Sequence, residues 1–153
     1  MIKVLFVCLG NICRSPMAEF IFRDMVKREG LEDRIQCASA ATSDEERGNP
    51  VYPPARRKLA QLGIDCGGKR ARQMTRDDYR AYDRLIGMES RNVDRMRRIC
   101  GGDPEGKISR LLDDAPLPRD IPDPWFTGDF DAACRDITEG CEILLKQLIL
   151  SQT

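Results

Sequence analysis

Apolar positions along this chain follow two periods in turn. Residues 2–7 form an almost unbroken apolar run, Ile2, Val4, Leu5, Phe6 and Val7, rich in β-branched and aromatic side chains, which predicts a buried strand. From Ala18 the apolar positions Ile21, Phe22, Met25 and Val26 recur at helical spacing, so a helix is predicted over residues 16–29, stopped by Gly30. Ser15 followed by Pro16 reads as its start, with Ser as N-cap and Pro at the first helical position. Residues 34–40 predict a second strand through Ile35, Cys37 and Ala38, and residues 42–54, with their Asp, Glu, Gly, Asn and Pro, a long loop. A helix over 55–62 ends at Gly63, and a short helix over 75–80 takes Thr75 as N-cap. A third strand is predicted over 81–88, a helix over 92–100 ended by Gly101-Gly102, and a fourth strand over 107–112. Residues 113–128, with four prolines, form a second long loop. An amphipathic helix over 130–150 closes the chain, with Phe130, Cys134, Ile137, Cys141, Leu144 and Leu148 on one face. There is no internal repeat.

Strand and helix alternate throughout, which predicts an α/β fold with a parallel sheet and helices on both faces. Ligands of such sheets sit beyond the carboxyl ends of the strands, near the switch in strand order. The segment in that place after the first strand is Cys8-Leu9-Gly10-Asn11-Ile12-Cys13-Arg14, followed by Ser15. It is a loop with a thiol at one end and a guanidinium at the other, leading into a helix. Free N–H groups of a tight loop and of a helix N-terminus bind anions. Arg14 adds a planar fork of donors that matches two phosphate oxygens. The same positive field favours Cys8 as thiolate, the form that attacks. Gly10 and Asn11 suit the loop because both tolerate φ > 0. The residues read as a phosphate cradle that carries its own nucleophile.

The bare spacing Cys-x5-Arg is weak. With 7 Cys and 19 Arg in 153 residues, chance alone gives roughly one match, and Cys66 to Arg72 is a second. Cys66 follows a helix end and lacks the Ser-Pro start after its Arg, so it reads as a structural or surface thiol. Composition narrows the class further. A length of 153 residues, 41% hydrophobic and 33% charged, fits one soluble domain, 1–153. Zero net charge gives no global reason for nucleic-acid or membrane binding. With no His and no Cys-x-x-Cys pair, neither a metal site nor any cofactor is expected, and mechanisms that need a Cys–His or Ser–His pair are excluded. Odd, irregularly spaced cysteines and the absence of a leader predict a reducing, cytoplasmic location. Expulsion of an alkoxide or phenoxide needs a proton donor, and without His a carboxylic acid is the natural one. Asp113, Asp114, Asp120 and Asp123 are all in the Pro-rich loop, and spacing does not choose among them.

The run from Val7 to Glu19 resembles the N-terminal signature of the low-molecular-weight protein tyrosine phosphatases. Ser39-Ala40-Ala41-Thr42-Ser43, Gly48-Asn49-Pro50, Ala71-Arg72-Gln73 and Asp123-Pro124-Trp125-Phe126 extend the resemblance over nearly the whole chain. The family implies a single domain with a four-stranded parallel sheet in a flavodoxin-like or Rossmann-like, three-layer arrangement, and site walls built by the loops around Asp44 and Asp123. It implies hydrolysis of phosphotyrosine through a phosphocysteine on Cys8, with Arg14 binding phosphate and Asp123 as general acid and then general base. Leu9, Gly10, Asn11, Ile12, Cys13 and Ser15 would complete the phosphate loop, with Ser39 bracing it and Ser15 donating to the Cys8 sulfur. Cys13 matches the family's second loop thiol, which implies a redox role. Glu45, Trp125 and Phe126 would wall the substrate. Expected partners are phosphotyrosine proteins or peptides, with phosphate and other oxyanions as inhibitors, and the chain is expected to be a monomer.

The chain also departs from that pattern. Lys69-Arg70 stands where the family often has a histidine, so the brace on Asn11 is expected to differ. Asp44-Glu45-Glu46 replaces an often aromatic position, and a carboxylate wall is expected to repel acidic peptide flanks. Trp125-Phe126 replaces the tandem Tyr of some relatives, which removes phosphorylation at those positions. Three alternatives compete with the tyrosine phosphatase. An arsenate reductase of the same fold needs relay cysteines, and none lies between Gly67 and Ile99. A phosphoarginine phosphatase is linked by the resemblance to a Thr at the position of Ile12. A non-catalytic phosphate-binding module follows only if Asp123 cannot reach the site.

Overall fold

Strand β1 (Ile2–Cys8) lies inside a four-stranded sheet of order β2-β1-β3-β4, in which all strands run parallel. The computed structural model describes residues 1–151; residues 152 and 153, the end of the expected 1–153 domain, lie outside the described residues. The chain leaves β1 through helix α1 (Arg14–Arg28) and returns on one side as β2 (Ile35–Ala41). It then crosses through α2 (Pro53–Gln61) and the short α3 (Asp78–Ala81) to β3 (Arg84–Gly87) on the other side of β1. Helix α4 (Ser90–Cys100) leads to the edge strand β4 (Ile108–Arg110). A four-residue helix α5 (Pro124–Thr127) precedes the long α6 (Phe130–Ser151). The strand order therefore switches at β1, and the loop after Cys8 opens at that switch.

The unbroken apolar run of β1 is explained by burial on both faces. Val4 and Phe6 point into a core closed by α1, α2 and α6, where Phe6 meets the edge of the Phe22 ring at 5.5 Å. Leu5 and Val7 point the other way, against Val93 and Met96 of α4. Cys134 and Cys141 are buried in the first core, as their helical spacing predicts. So is Cys66.

Boundaries differ from expectation where side chains capture the backbone. The strand expected over 81–88 is only four residues, because Ala81 still belongs to α3 and Asp83 is drawn to Lys3 by two bonds, one through its N–H (2.8 Å) and one accepted by its carboxylate (2.7 Å). Thr75 does not cap α3; its N–H donates to Asp78 Oδ2 at 2.8 Å. β4 stops at Arg110 because Asp113 draws in both the Arg110 N–H (2.8 Å) and its Nε (2.7 Å). Part of the expected loop 113–128 is helical as α5, capped by Asp123, whose Oδ1 accepts from the Trp125 N–H.

Candidate active site

Helix α1 begins at Arg14, two residues before the expected start, with Cys13 in the N-cap position and no side-chain cap. Ser15 is therefore not the N-cap that its Ser-Pro context suggests. It is the second helical residue, and Pro16 still costs nothing because the first turn has N–H groups without helical partners. Those groups face the loop: the Ser15 N–H lies 3.4 Å from Cys8 Sγ, and its hydroxyl 3.0 Å from the same sulfur.

The loop is turned so that its carbonyls are used outside. The Cys8, Leu9 and Ile12 carbonyls accept from the N–H groups of Thr42, Ser43 and Tyr52 at 2.9–3.1 Å. No N–H from Gly10 to Arg14 donates to a backbone carbonyl among the described residues. Asn11 makes this turn possible with φ 59°, the only positive φ of a non-glycine residue among those described. Gly10, which tolerates that conformation, does not adopt it. Its missing side chain gives room instead, since a Cβ there would stand 3.3 Å from Glu46 Cγ.

Asn11 is buried and fixes the direction of a hydrogen-bond chain. Its amide nitrogen donates to Ser15 Oγ (2.8 Å) and to Ser39 Oγ (2.9 Å), while its Oδ1 accepts from the Arg72 N–H (3.2 Å). An amide nitrogen only donates, so both hydroxyls must accept from it and pass their single protons onward. Ser39 donates to Glu19 Oε1 at 2.5 Å. Ser15 is left to donate to Cys8 Sγ, with the Ala40 carbonyl at 3.4 Å as a second acceptor. Glu19 is held in turn by Arg23 (2.5 Å) and Lys69 (3.4 Å), and Lys69 also donates to the Ser39 carbonyl at 3.0 Å. Lys69 thus supports the Asn11 brace one step removed.

Arg14 is 1% exposed and preset by three oxygens. Nη1 donates to the Ile121 carbonyl at 2.8 Å, and Nη2 faces Asp123 Oδ2 at 3.3 Å and Glu89 Oε1 at 3.4 Å. Nε and the second proton on Nη1 remain for an oxyanion. Of the four aspartates in the Pro-rich loop, Asp123 alone lines the pocket. Asp113 and Asp120 hold Arg110, and Asp114 accepts from Gln147.

These groups close a pocket of about 210 Å³, small enough for one side chain. Its floor includes Cys8, Leu9, Gly10, Ile12, Cys13 and Arg14; Ser43, Glu45 and Glu46 form one wall, and Asp123, Trp125 and Phe126 the other. Asp44, expected in the first wall, does not line it. Trp125 leans on Tyr52 with ring centroids 4.7 Å apart, while Phe126 is 78% exposed. Burial, and then the neighbouring Cys8, push the Cys13 thiol up to about 12. Cys66 and Arg72, the rival Cys-x5-Arg pair, are dispersed: the thiol is in the core and the guanidinium is paired with Asp78 at 3.0 Å. Among the described residues no group of His, Cys, Asp or Glu is arranged to hold a metal ion.

Sequence reasoning missed Glu89 and the pairing of Lys69 with Glu19. Glu89 stands two residues beyond the carboxyl end of β3, beside the switch strand, and the rule for ligand sites in parallel sheets could have singled it out.

Comparison with known proteins agrees over the full length. The family model described as low molecular weight phosphotyrosine protein phosphatase matches residues 3–152. The low molecular weight protein-tyrosine-phosphatase YfkJ of Bacillus subtilis is 44% identical over 151 residues, covering 97% of this chain and 96% of its own. The crystal structure of YfkJ superposes with a TM-score of 0.95 at 42% identity, covering 100% and 98% of the two chains. The low molecular weight phosphotyrosine protein phosphatase of Gallus gallus is 35% identical over 95% of this chain and 94% of its own. The structure of DARP, a drosophila arginine phosphatase, is 29% identical with a TM-score of 0.88, covering 96% of this chain and 98% of its own. Built on a parallel sheet with its thiol loop at the switch strand, this chain belongs to the low-molecular-weight phosphotyrosine protein phosphatases, a family of cysteine-dependent hydrolases.

Proposed function

We propose that this chain, as one phosphatase domain over 1–153, hydrolyses phosphotyrosine and small aryl phosphate monoesters through a phosphocysteine on Cys8. The observation that carries this reading is the meeting, on one small pocket, of Cys8 Sγ, inward N–H groups, Arg14 and the Asp123 carboxyl beside an aromatic wall.

The chemistry follows from the donors. Loop N–H groups and the free Arg14 donors take the non-bridging phosphate oxygens and neutralise their charge. The Cys8 thiolate, held by the Ser15 hydroxyl, attacks phosphorus as the ester P–O bond breaks. Asp123, in its acid form, gives its proton to the leaving phenolic oxygen, so a neutral phenol departs. Water then attacks the phosphocysteine, Asp123 takes its proton, and the P–S bond breaks with the electron pair returning to sulfur. The Ser15 proton can turn to Ala40 while sulfur carries phosphate and return as the thiolate reforms. All of these groups come from one chain, so a monomer suffices, and the product phosphate and other tetrahedral oxyanions compete for the loop.

The test is phosphate release from phenyl phosphate and a phosphotyrosine peptide, with rapid quench to isolate a phosphoprotein. A phosphoryl group mapped to Cys8 is expected. Turnover with no such intermediate, or phosphate binding with no turnover of either substrate, refutes the reading.

A further inference from the structure

The catalytic pocket continues across its rim into a second groove of about 670 Å³. Ile12, Glu46 and Trp125 line both, and from them the groove runs over Tyr52 to Arg56 and Arg57 on α2. Its floor is firm, because Tyr52 is held between a tilted Trp125 ring at 4.7 Å and a stacked Phe130 ring at 6.1 Å. The groove is charged unevenly. Arg56 and Arg57 bring two cations, and neither has an ion-pair partner among the described residues. Lys58 on the same helix is already committed to Asp131 at 2.8 Å. The single carboxylate lining the groove, Glu46, accepts from Asn49 Nδ2 at 2.6 Å. Glu45 lines the catalytic pocket but not the groove, and its neighbour Asp44 is exposed with no ion pair among the described residues.

We infer that this groove receives the peptide flanking the phosphotyrosine and that Arg57 selects a flank with acidic side chains on one side only. The inference rests on the phosphatase reading. An aryl phosphate seated on Cys8 belongs to a side chain whose backbone lies outside the pocket, and the groove is a concave apolar path leading from that mouth. Peptide passing along it brings one flank to Arg57 and leaves the other near Glu45. Acidic residues are then attracted on the first side and repelled on the second, so the acidic loop does not act against every acidic substrate.

The experiment compares three phosphotyrosine peptides that differ only in having two Glu residues before the phosphotyrosine, two after it, or Gln at all four positions. kcat/KM is expressed relative to phenyl phosphate with the same preparation. One acidic arrangement should exceed the Gln peptide by about 2- to 5-fold, the worth of an exposed ion pair, and the other should not. Added salt should erode the advantage. Arg57→Ala should abolish it, and Arg57→Glu should turn it into a disadvantage. Equal rates on all three peptides overturn the inference, as does a preference that survives Arg57→Glu. Flank-independent rates together with self-association that is lost in Arg57→Glu assign the groove to a second copy of the chain, and also overturn it. If phenyl phosphate is hydrolysed and no peptide is, the groove reading alone fails. If neither is hydrolysed, the phosphatase reading fails and takes the groove reading with it.

Discussion

Replacing Asp123 by Asn should move two quantities in opposite directions. Asn keeps the size of the side chain and can still accept from the Trp125 N–H, so the cap of α5 survives. What it loses is a transferable proton and a negative charge 3.3 Å from Arg14 Nη2. The lost proton should cost roughly 10²–10⁴-fold in kcat/KM on phenyl phosphate, whose phenoxide is basic and leaves poorly alone. A nitrophenoxide leaves almost unaided, so the loss on nitrophenyl phosphate should be far smaller. The lost charge acts on binding. Two like charges about 4 Å apart repel by about 1 kcal/mol in water and about 4 kcal/mol at a protein surface. Asp123 is partly solvated, at 18% side-chain exposure, which argues for the lower end, about 5-fold tighter inhibition by phosphate. The assay is kcat/KM on both esters, which reports the first chemical step even when dephosphorylation limits kcat, with phosphate Ki measured in parallel. Asp113, Asp114 and Asp120 variants should show neither effect, since their carboxylates are engaged elsewhere. Weaker phosphate binding in Asp123→Asn, or equal losses on the two esters, would refute the reasoning; a steep leaving-group dependence in one of the other three would reassign the acid.

Cys8→Ser should abolish turnover while retaining phosphate binding, measured by calorimetry, because the loop N–H groups and Arg14 remain; Cys66→Ser should leave kcat/KM on aryl phosphates within about 2-fold of the parent, since surrounding core changes stay small. Mild peroxide should join Cys8 and Cys13, the Cys8 sulfenic acid condensing with the Cys13 thiol and releasing water; peptide mapping should find that disulfide, and Cys13→Ser should recover less activity with thiol than the parent. Iodoacetamide at neutral pH should spare Cys13, because a thiol pushed up to about 12 forms thiolate only far above that pH. Phosphotyrosine should be hydrolysed with a higher specificity constant than phosphoarginine, as Ile12 places an apolar side chain in the pocket; comparable constants, or a strong gain in tyrosine activity from Ile12→Thr, would contradict this. Gly140→Ala should lower the melting temperature: helix propensity favours Ala by about 1 kcal/mol, but the new Cβ would stand 2.4 Å from Leu111 Cγ, and overpacking typically costs about 1–3 kcal/mol.

The alternation of strand and helix and the place of the thiol loop after the first strand were legible because both depend on local signals. The two-sided burial of β1 is written in consecutive apolar residues, and the helix after it in Ile21, Phe22 and Val26. Boundaries were less legible because they are set by side chains distant in sequence. Asp83 holds the N–H of Lys3, 80 residues away, and nothing in either neighbourhood announces that bond. Ser15 shows a different failure. Ser before Pro is a sound helix-start signal, yet here the N-cap is Cys13 and the hydroxyl serves the sulfur. A side chain engaged by a partner outside its helix breaks the local rule it would otherwise obey.

The absence of histidine can now be followed into the structure. His is the side chain whose ordinary pKa lies near neutrality, so a loop braced through it would loosen or tighten with pH in that range. Here the brace runs from Asn11 through Ser39 to a carboxylate clamped between Lys69 and Arg23. Lys69 is held low chiefly by burial, against the pull of Glu19. Its ordinary value is nevertheless that of an amine, 10.5, and the second cation on Glu19 is the Arg23 guanidinium. Removing Lys69 would leave a carboxylate that is 5% exposed with Arg23 as its remaining cation. Such a loss falls first on Ser39, then on the left-handed turn at Asn11, and only through these on the sulfur. The chain that began as a departure from the family pattern is thus a different support for the same turn, and its polarity, donors toward Cys8 and charge at the far end, is dictated by the Asn11 amide nitrogen, which can only donate to the two hydroxyls.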